Sequence, residues 1–263
     1  MTRIVVLIKD IPDLTEVKID PTTRRPQTDN VKRKLNDLDK RALEAAIRLK
    51  EATSAEVVTL SLGDERTKTS LLEALAMGAD ASYLVNDSTI KGFDGNGTSK
   101  VLASALARIG DYDLILAGEL SLDGMGSQIG PRVSRLLDVP QVTYAKEIKL
   151  EGNRVRALRD LEESDEVVEA DTPVLVTVVR EINEPRIPTL MNIMKAKKKP
   201  ITEWNLNDLS LGIDELKASV KVRVTDIKAP EVKRKKIAVK ADKMEDVVSK
   251  LLEYLVSEGV LEA

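Results

Sequence analysis

The run Ser121-Leu122-Asp123-Gly124-Met125-Gly126-Ser127-Gln128-Ile129-Gly130-Pro131 has the residue types of an anion cradle. Gly124, Gly126 and Gly130 let a ligand approach the backbone, and Pro131 suits a first helical position. The run follows the apolar stretch Leu114-Ile115-Leu116-Ala117 and opens a helical pattern in which Arg132 adds positive charge. N–H groups exposed at such a helix start favour a phosphate, and open α/β sheets bind ligands where strands give way to helices. The pattern is less specific than a Walker motif, because ordinary strand-to-helix turns also use glycine and proline. Asn36-Asp37-Leu38-Asp39 and Asn96-Gly97-Thr98-Ser99 are two further polar helix starts expected on the same sheet edge, so three can surround one nucleotide. Asp123 can receive a ribose hydroxyl, and aspartate equally closes plain turns.

The chain has no cysteine and no histidine, which removes thiolate chemistry and the commonest general base and metal ligand. Such a chain is better suited to binding a cofactor that brings the reactive atoms with it. With one phenylalanine and one tryptophan it lacks stacking platforms for single-stranded nucleic acid. The net charge of −3 creates no field for polyanions, so Lys233-Arg234-Lys235-Lys236 is not read as a nucleic-acid site. The acidic run Glu162-Glu163-Ser164-Asp165-Glu166 reads as a hairpin turn in water rather than a metal site. No stretch approaches the roughly 18 apolar residues of a membrane span, and no leader is evident, so no direct membrane insertion and a cytoplasmic location are expected.

Over the first two thirds, short β-branched runs alternate with helical patterns, which predicts an α/β fold with a mainly parallel sheet. Strands are expected at Ile4-Val5-Val6-Leu7-Ile8, Val57-Val58-Thr59-Leu60, Tyr83-Leu84-Val85 and Leu114 to Ala117. One helix is expected from Leu38 with Asn36 or Asp37 as cap, one around Leu71 to Ala76 ending near Gly78, and one around Val101 to Ile109 capped by Thr98 or Asn96. From Val142 to Val179 the pattern changes to alternating short strands, and Val220-Lys221-Val222-Arg223-Val224 alternates like an edge strand. Met244, Val247, Val248, Leu251, Leu252 and Leu255 form the apolar stripe of a last helix, with Asp242 as cap and Gly259 as stop. Residues 1–200 are therefore expected as the nucleotide-binding core, and 201–263 as a C-terminal arm ending in an amphipathic helix.

The segment Asn183-Glu184-Pro185-Arg186, followed by Thr189-Leu190 and Asn192-Ile193-Met194-Lys195-Ala196-Lys197, is too idiosyncratic for generic helix or strand chemistry. It resembles the characteristic segment of electron transfer flavoprotein beta subunits. The opening Val5 to Lys9 with Pro12-Asp13, Ala42 to Glu51, Ala74 to Asp80 and Asp123 to Gly130 resemble the same family in the same order. The resemblance implies a three-layer α/β/α fold, adenine nucleotide alpha hydrolase-like, paired with a larger alpha subunit on which the arm packs. It implies an electron carrier rather than a stand-alone enzyme, with no catalytic side chain of its own.

By resemblance, the nucleotide positions are Leu7, Asn36, Asp37, Leu38, Asp39 and Leu62. They continue through Asp123, Gly124, Met125, Gly126, Ser127, Gln128, Ile129, Gly130, Pro131, Arg132, Val133 and Ser134. Ordinary members hold AMP there. Relatives performing electron bifurcation hold a second FAD that receives hydride from NADH, which adds Thr98 and Ser99. Gly92 to Ser99 and the glycines of the 123–131 loop look like the FAD type, Asn183 to Arg186 and Asn192 to Lys199 like the AMP type, and the balance leans to FAD. Leu190 matches the leucine that docks acyl-CoA or other dehydrogenases, while its own chemistry also fits a leucine packed beneath its loop. Lys195, Lys197, Lys198 and Lys199 can steer an acidic partner or be plain solvated surface. Electrons are expected to leave to a quinone-linked or ferredoxin-linked acceptor. The rival reading is a non-redox adenine-nucleotide-binding protein or hydrolase of similar fold, and a third is a scaffold with an empty nucleotide site.

Overall fold

The computed structural model describes residues 2–231 and 234–261. It divides into two compact units, Met1–Ile227 and Lys228–Ala263. In chain order the first unit contains β1 (Arg3–Leu7), β2 (Asp10–Pro12), β3 (Lys18–Ile19), β4 (Pro26–Gln27), β5 (Arg33–Leu35), α1 (Asp37–Thr53), β6 (Glu56–Gly63), α2 (Lys68–Met77), β7 (Ala81–Asn86), α3 (Gly95–Ile109), β8 (Leu114–Gly118) and α4 (Ile129–Leu137). It continues through β9 (Gln141–Glu151), β10 (Arg154–Leu161), β11 (Ser164–Asp171), β12 (Val174–Val178), α5 (Leu190–Ala196), β13 (Ile201–Trp204) and α6 (Ile213–Ser219). The second unit holds α7 (Met244–Ser257).

Nine strands form one sheet in the order β11-β10-β9-β12-β8-β1-β6-β7-β13. Its centre is parallel, and β9, β10 and β11 extend it as an antiparallel meander. Because both faces of the parallel part are covered, its strands are continuous apolar runs rather than alternating ones. Ile4 and Val6 of β1 face the core under α1 and α2, whereas Val5 and Leu7 face the core under α3 and α4. From β1 the chain moves outward to β6 and β7, then returns to the other side of β1 as β8. The crevice between the carboxyl ends of β1 and β8 is therefore the topological switch point, where open α/β sheets bind their ligands.

Several expectations are corrected by local bonding. The proline-rich stretch after β1 contains two small ribbons, β2 with β5 and β3 with β4. Helix α3 is capped by Asp94 rather than Thr98 or Asn96, since Gly97 N–H donates to Asp94 Oδ1 at 3.0 Å. Residues 220–224 form no strand, because Asp94 Oδ2 takes the N–H groups of Lys221 and Val222 at 2.8 and 3.0 Å. The edge strand is instead β13, parallel to β7, where Trp204 stacks on Tyr83 with ring centroids 4.8 Å apart. With β13 added to the sheet and α6 packed on α3, the first compact unit spans Met1–Ile227. Pro131 is the third residue of α4, not the first, and Lys243 rather than Asp242 occupies the cap of α7. Lys233 lies outside the described residues.

A buried carboxyl ties the switch point together. Asp39, in the first turn of α1, accepts the Lys9 N–H at 2.8 Å and the Gly118 N–H at 3.1 Å. A Cβ on Gly118 would lie 2.6 Å from Asp39 Oδ1 and 2.7 Å from Leu38 Cβ, so only glycine fits. Burial pushes the Asp39 carboxyl up to about 7, although the two amides pull the other way. On the other side of the sheet, a Cβ on Gly130 would sit 2.5 Å from Cγ2 of buried Thr177, which fixes how closely α4 lies on β12.

Two outcomes are expected. The folded protein holds the Asp39 proton more tightly than the unfolded chain, where aspartate titrates near about 4. Its contribution to stability is thus full below about pH 4 and is lost as pH rises through about 7. In urea unfolding, the advantage of wild type over Asp39→Asn should grow as pH falls across that interval; a flat difference rules this out. Gly130→Ala should lose about 1–3 kcal/mol from overpacking. Thr177→Ser, which removes the clashing methyl but keeps the hydroxyl that accepts the Tyr144 N–H, should restore most of that loss.

Candidate functional site

The start of α1 and the loop after β8 are sewn together at the switch point. Asn36 is fully buried; its Nδ2 donates to the Leu120 carbonyl at 2.9 Å, and its Oδ1 accepts the Leu122 N–H at 3.1 Å. Just beyond β1, Lys9 reaches over the same loop, with Nζ 2.8 and 2.9 Å from the Asp123 carboxylate and 3.3 Å from Ser121 Oγ. Asn36, Asp39, Lys9, Ser121 and Asp123 are thereby brought to one crevice although the two ends of the set, Lys9 and Asp123, are 114 positions apart in the sequence.

The loop then turns sharply. Met125 N–H donates to the Ser121 carbonyl at 2.7 Å, and Met125 and Ser127 adopt left-handed φ values of 47° and 49°. A Cβ on Gly126 would meet nothing within 4 Å, so this position is open toward solvent. Helix α4 follows with Gln128 at its cap, and the Gln128 side chain makes no capping bond to the helix. Its Oε1 instead accepts from Arg132 Nε and Nη2 at 3.2 and 3.0 Å. The first-turn N–H groups of a helix have no partner within it, and Arg132 adds charge beside them, which makes this start a fitting seat for a phosphate.

Arg132 also bonds Asn96 at the start of α3, and Asn96 Nδ2 donates to the Ser219 carbonyl at 3.2 Å. That helix start differs in character. Asp94 already caps it; burial would raise this carboxyl, but the amides of Gly97, Lys221 and Val222 outweigh burial and hold it below its usual value. An ionised carboxylate there repels a phosphate, so of the three polar helix starts α4 is the one suited to it.

The remaining expected residues divide by role. Leu7 and Leu62 pack into the core under α3, leaving backbone as what they offer the crevice edge. Val133 is core, Gly130 is buried under Thr177, and Ser134 Oγ donates to the Val139 carbonyl at 2.7 Å, so these residues seat α4 on the sheet. Asp37 is paired with Lys34 at 3.1 Å, Leu38 is buried, and Met125 projects into solvent. Thr98 is half-buried, and the Ser99 hydroxyl is fully buried without a hydrogen-bond partner. Sequence reasoning missed the pairing of Lys9, the capping by Asp94 and the role of Gly118. The three-residue spacing of Asp94 to Gly97 was the available signal for the cap.

Leu190 opens α5 and is 75% exposed, so it does not pack beneath its own loop. In the acidic hairpin, Asp165 and Glu166 pair with Lys146 and Arg159. Among the described residues, no helix is long and apolar enough to cross a membrane.

Comparison with known proteins gives a consistent family. The sequence model described as Electron transfer flavoprotein domain matches residues 27–209. The Electron transfer flavoprotein subunit beta of Megasphaera elsdenii is 36% identical over 271 residues, covering 98% of this chain and 100% of that protein. The protein of the same name from Thermoanaerobacterium thermosaccharolyticum is 40% identical over 215 residues, 81% of this chain and 82% of its own. The Caffeyl-CoA reductase-Etf complex subunit CarD of Acetobacterium woodii is 40% identical over 211 residues, 80% of each chain. A sheet with a crevice at the β1/β8 switch point, the segment from Asn183 to Lys197 and these matches agree, and the chain belongs to the electron transfer flavoprotein family as a beta subunit.

Proposed function

We propose that the switch-point crevice binds an adenine nucleotide with its phosphate at the start of α4, and that the heterodimer formed with an alpha subunit passes electrons from partner dehydrogenases through bound flavin. The observation that carries this reading is the α4 start, left without a side-chain cap and fronted by the open Gly126 position. FAD is the proposed guest of this subunit in preference to AMP. Supporting it, the unpartnered Ser99 hydroxyl lies on α3, the helix that only the larger ligand would use, and on the approach to that helix a Cβ at Gly92 would meet nothing within 4 Å. FAD brings the redox chemistry; the chain binds and orients it through Asn36, Lys9, the 121–128 loop and Arg132.

Leu190 is the proposed anchor for acyl-CoA or other dehydrogenases, as one relative belongs by name to a caffeyl-CoA reductase complex. In the second unit, α7 is the single helix or strand among the described residues. Its stripe of Met244, Val248, Leu251 and Leu252 has no cover within that unit, which supports the arm packing on the alpha subunit. A quinone-linked or ferredoxin-linked acceptor completes the path, and with a second FAD the complex takes electrons from NADH and bifurcates them.

Counting ligands released from the denatured heterodimer tests the proposal. Two FAD and no AMP are expected per heterodimer. One of each would restrict the subunit to the ordinary carrier type, and absence of both from a folded complex would sink it. Gly126→Val should leave assembly with the alpha subunit intact while lowering the nucleotide retained through gel filtration; unchanged content would mean the loop is only scaffold. Lys9→Met, which frees Asp123, should lower retention as well.

A further inference from the structure

We propose that Arg186 and Lys199 are positioning residues for dehydrogenase docking: they fasten the two ends of segment 187–198 so that Leu190 is presented on a preformed surface. The inference rests on the reading of Leu190 as the docking anchor.

The front fastening is a forked ion-pair cluster on the outer face of α1. Arg186 Nε and Nη2 donate to Glu44 at 2.8 and 3.2 Å, and Nη1 and Nη2 donate to Glu51 at 2.6 and 3.1 Å. The Arg186 N–H also reaches Glu44 Oε2 at 3.2 Å, so backbone as well as side chain is held. Only 3% of the Glu44 side chain is exposed; burial would raise its carboxyl, but Arg186 and Arg48 hold it below its ordinary value. A guanidinium fork shared between two carboxylates fixes direction as well as distance, which a lysine ammonium does not. Asn183 adds a bond from Nδ2 to the Arg41 carbonyl at 3.0 Å.

The rear fastening is a helix cap. Lys199 does not stand free with Lys195, Lys197 and Lys198; its Nζ donates to the Leu75 carbonyl at 3.1 Å and to that of Ala79, at the end of α2. A cation there satisfies carbonyls that the helix leaves open and suits its negative pole. Beside it, Ala196 is 1% exposed and packs into the core under α1 and α2.

Between these fastenings the chain exposes large apolar groups: Ile187 is 91% exposed and Met194 65%. A surface of this kind on a loose loop would lose docking energy to the ordering of its backbone and side chains. Both ends are tied to helices of the core, so the ordering is complete before a partner arrives.

The test uses the heterodimer and an acyl-CoA dehydrogenase that reduces it, following flavin reduction as a function of dehydrogenase concentration. Arg186→Ala should raise the half-saturating concentration about tenfold, the scale of losing one well-placed anchor, with the saturating rate and flavin content unchanged. Arg186→Lys should fall between, and Lys199→Met should act in the same direction. Combined with Leu190→Ala, Arg186→Ala should add little, because a loose loop no longer matters once its anchor is gone. Full additivity, or half-saturation unmoved by both Arg186→Ala and Lys199→Met while Leu190→Ala raises it, overturns the positioning role. If Leu190→Ala itself moves nothing, the docking reading fails and the inference with it.

Discussion

Two parallel strand ends that meet at a crevice leave backbone N–H groups pointing at each other's space, and something must satisfy them without filling the crevice. Asp39 does so for both Lys9 and Gly118 with a single side chain. The demand propagates. Gly118 can carry no side chain, because the carboxyl and Leu38 occupy the space beside it. Asn36, three residues earlier, then meets the loop leaving β8 and bonds it through both ends of its amide. The course of residues 120–123, and with it the approach to α4, follows from one turn of α1 packed against two strands.

The same helix serves two sites with different faces and ends. Its first turn closes the crevice, while Glu44 and Glu51 hold Arg186 and the segment that presents Leu190. Twelve residues separate Asp39 from Glu51, a rise of about 18 Å along the axis at 1.5 Å per residue. The proposed nucleotide and docking surfaces are thus separate in space yet are both held by one helix. Electron carriers need such a frame, since transfer depends on where the partner sits relative to the bound flavin and not on side-chain chemistry.

Much of the fold was legible because it rests on runs of local pattern. The apolar strands, the periodic helices and the glycine loop carry their signal within ten or fifteen residues, and the motif from Asn183 to Lys197 identified the family. What stayed hidden depends on distant partners. Residues 220–224 alternate like a strand, but the chain cannot announce that Asp94 takes two of their amides. The sequence of β13 is short and unremarkable until Trp204 finds Tyr83. Lys199 reads as the last of a solvated lysine cluster, and only the end of α2 reveals it as a cap.

A titration near neutrality is what a general base would show, and Asp39 has one. Geometry argues for another origin. Its oxygens receive the N–H groups of Lys9 and Gly118, it is 6% exposed, and burial is the leading cause of the shift. The group cannot reach a substrate atom without breaking the junction it maintains. Its perturbation is the cost of the architecture, paid at the point where the sheet reverses direction. Glu119, next to Gly118 in the chain, is raised by burial and by the nearby Glu181 and Asp160 carboxylates, so like charges crowd one side of this junction. In a chain without histidine or cysteine, the carboxyl most displaced toward neutral pH thus belongs to the scaffold, and the proposed function asks of the crevice only that it bind a cofactor which brings the reactive atoms.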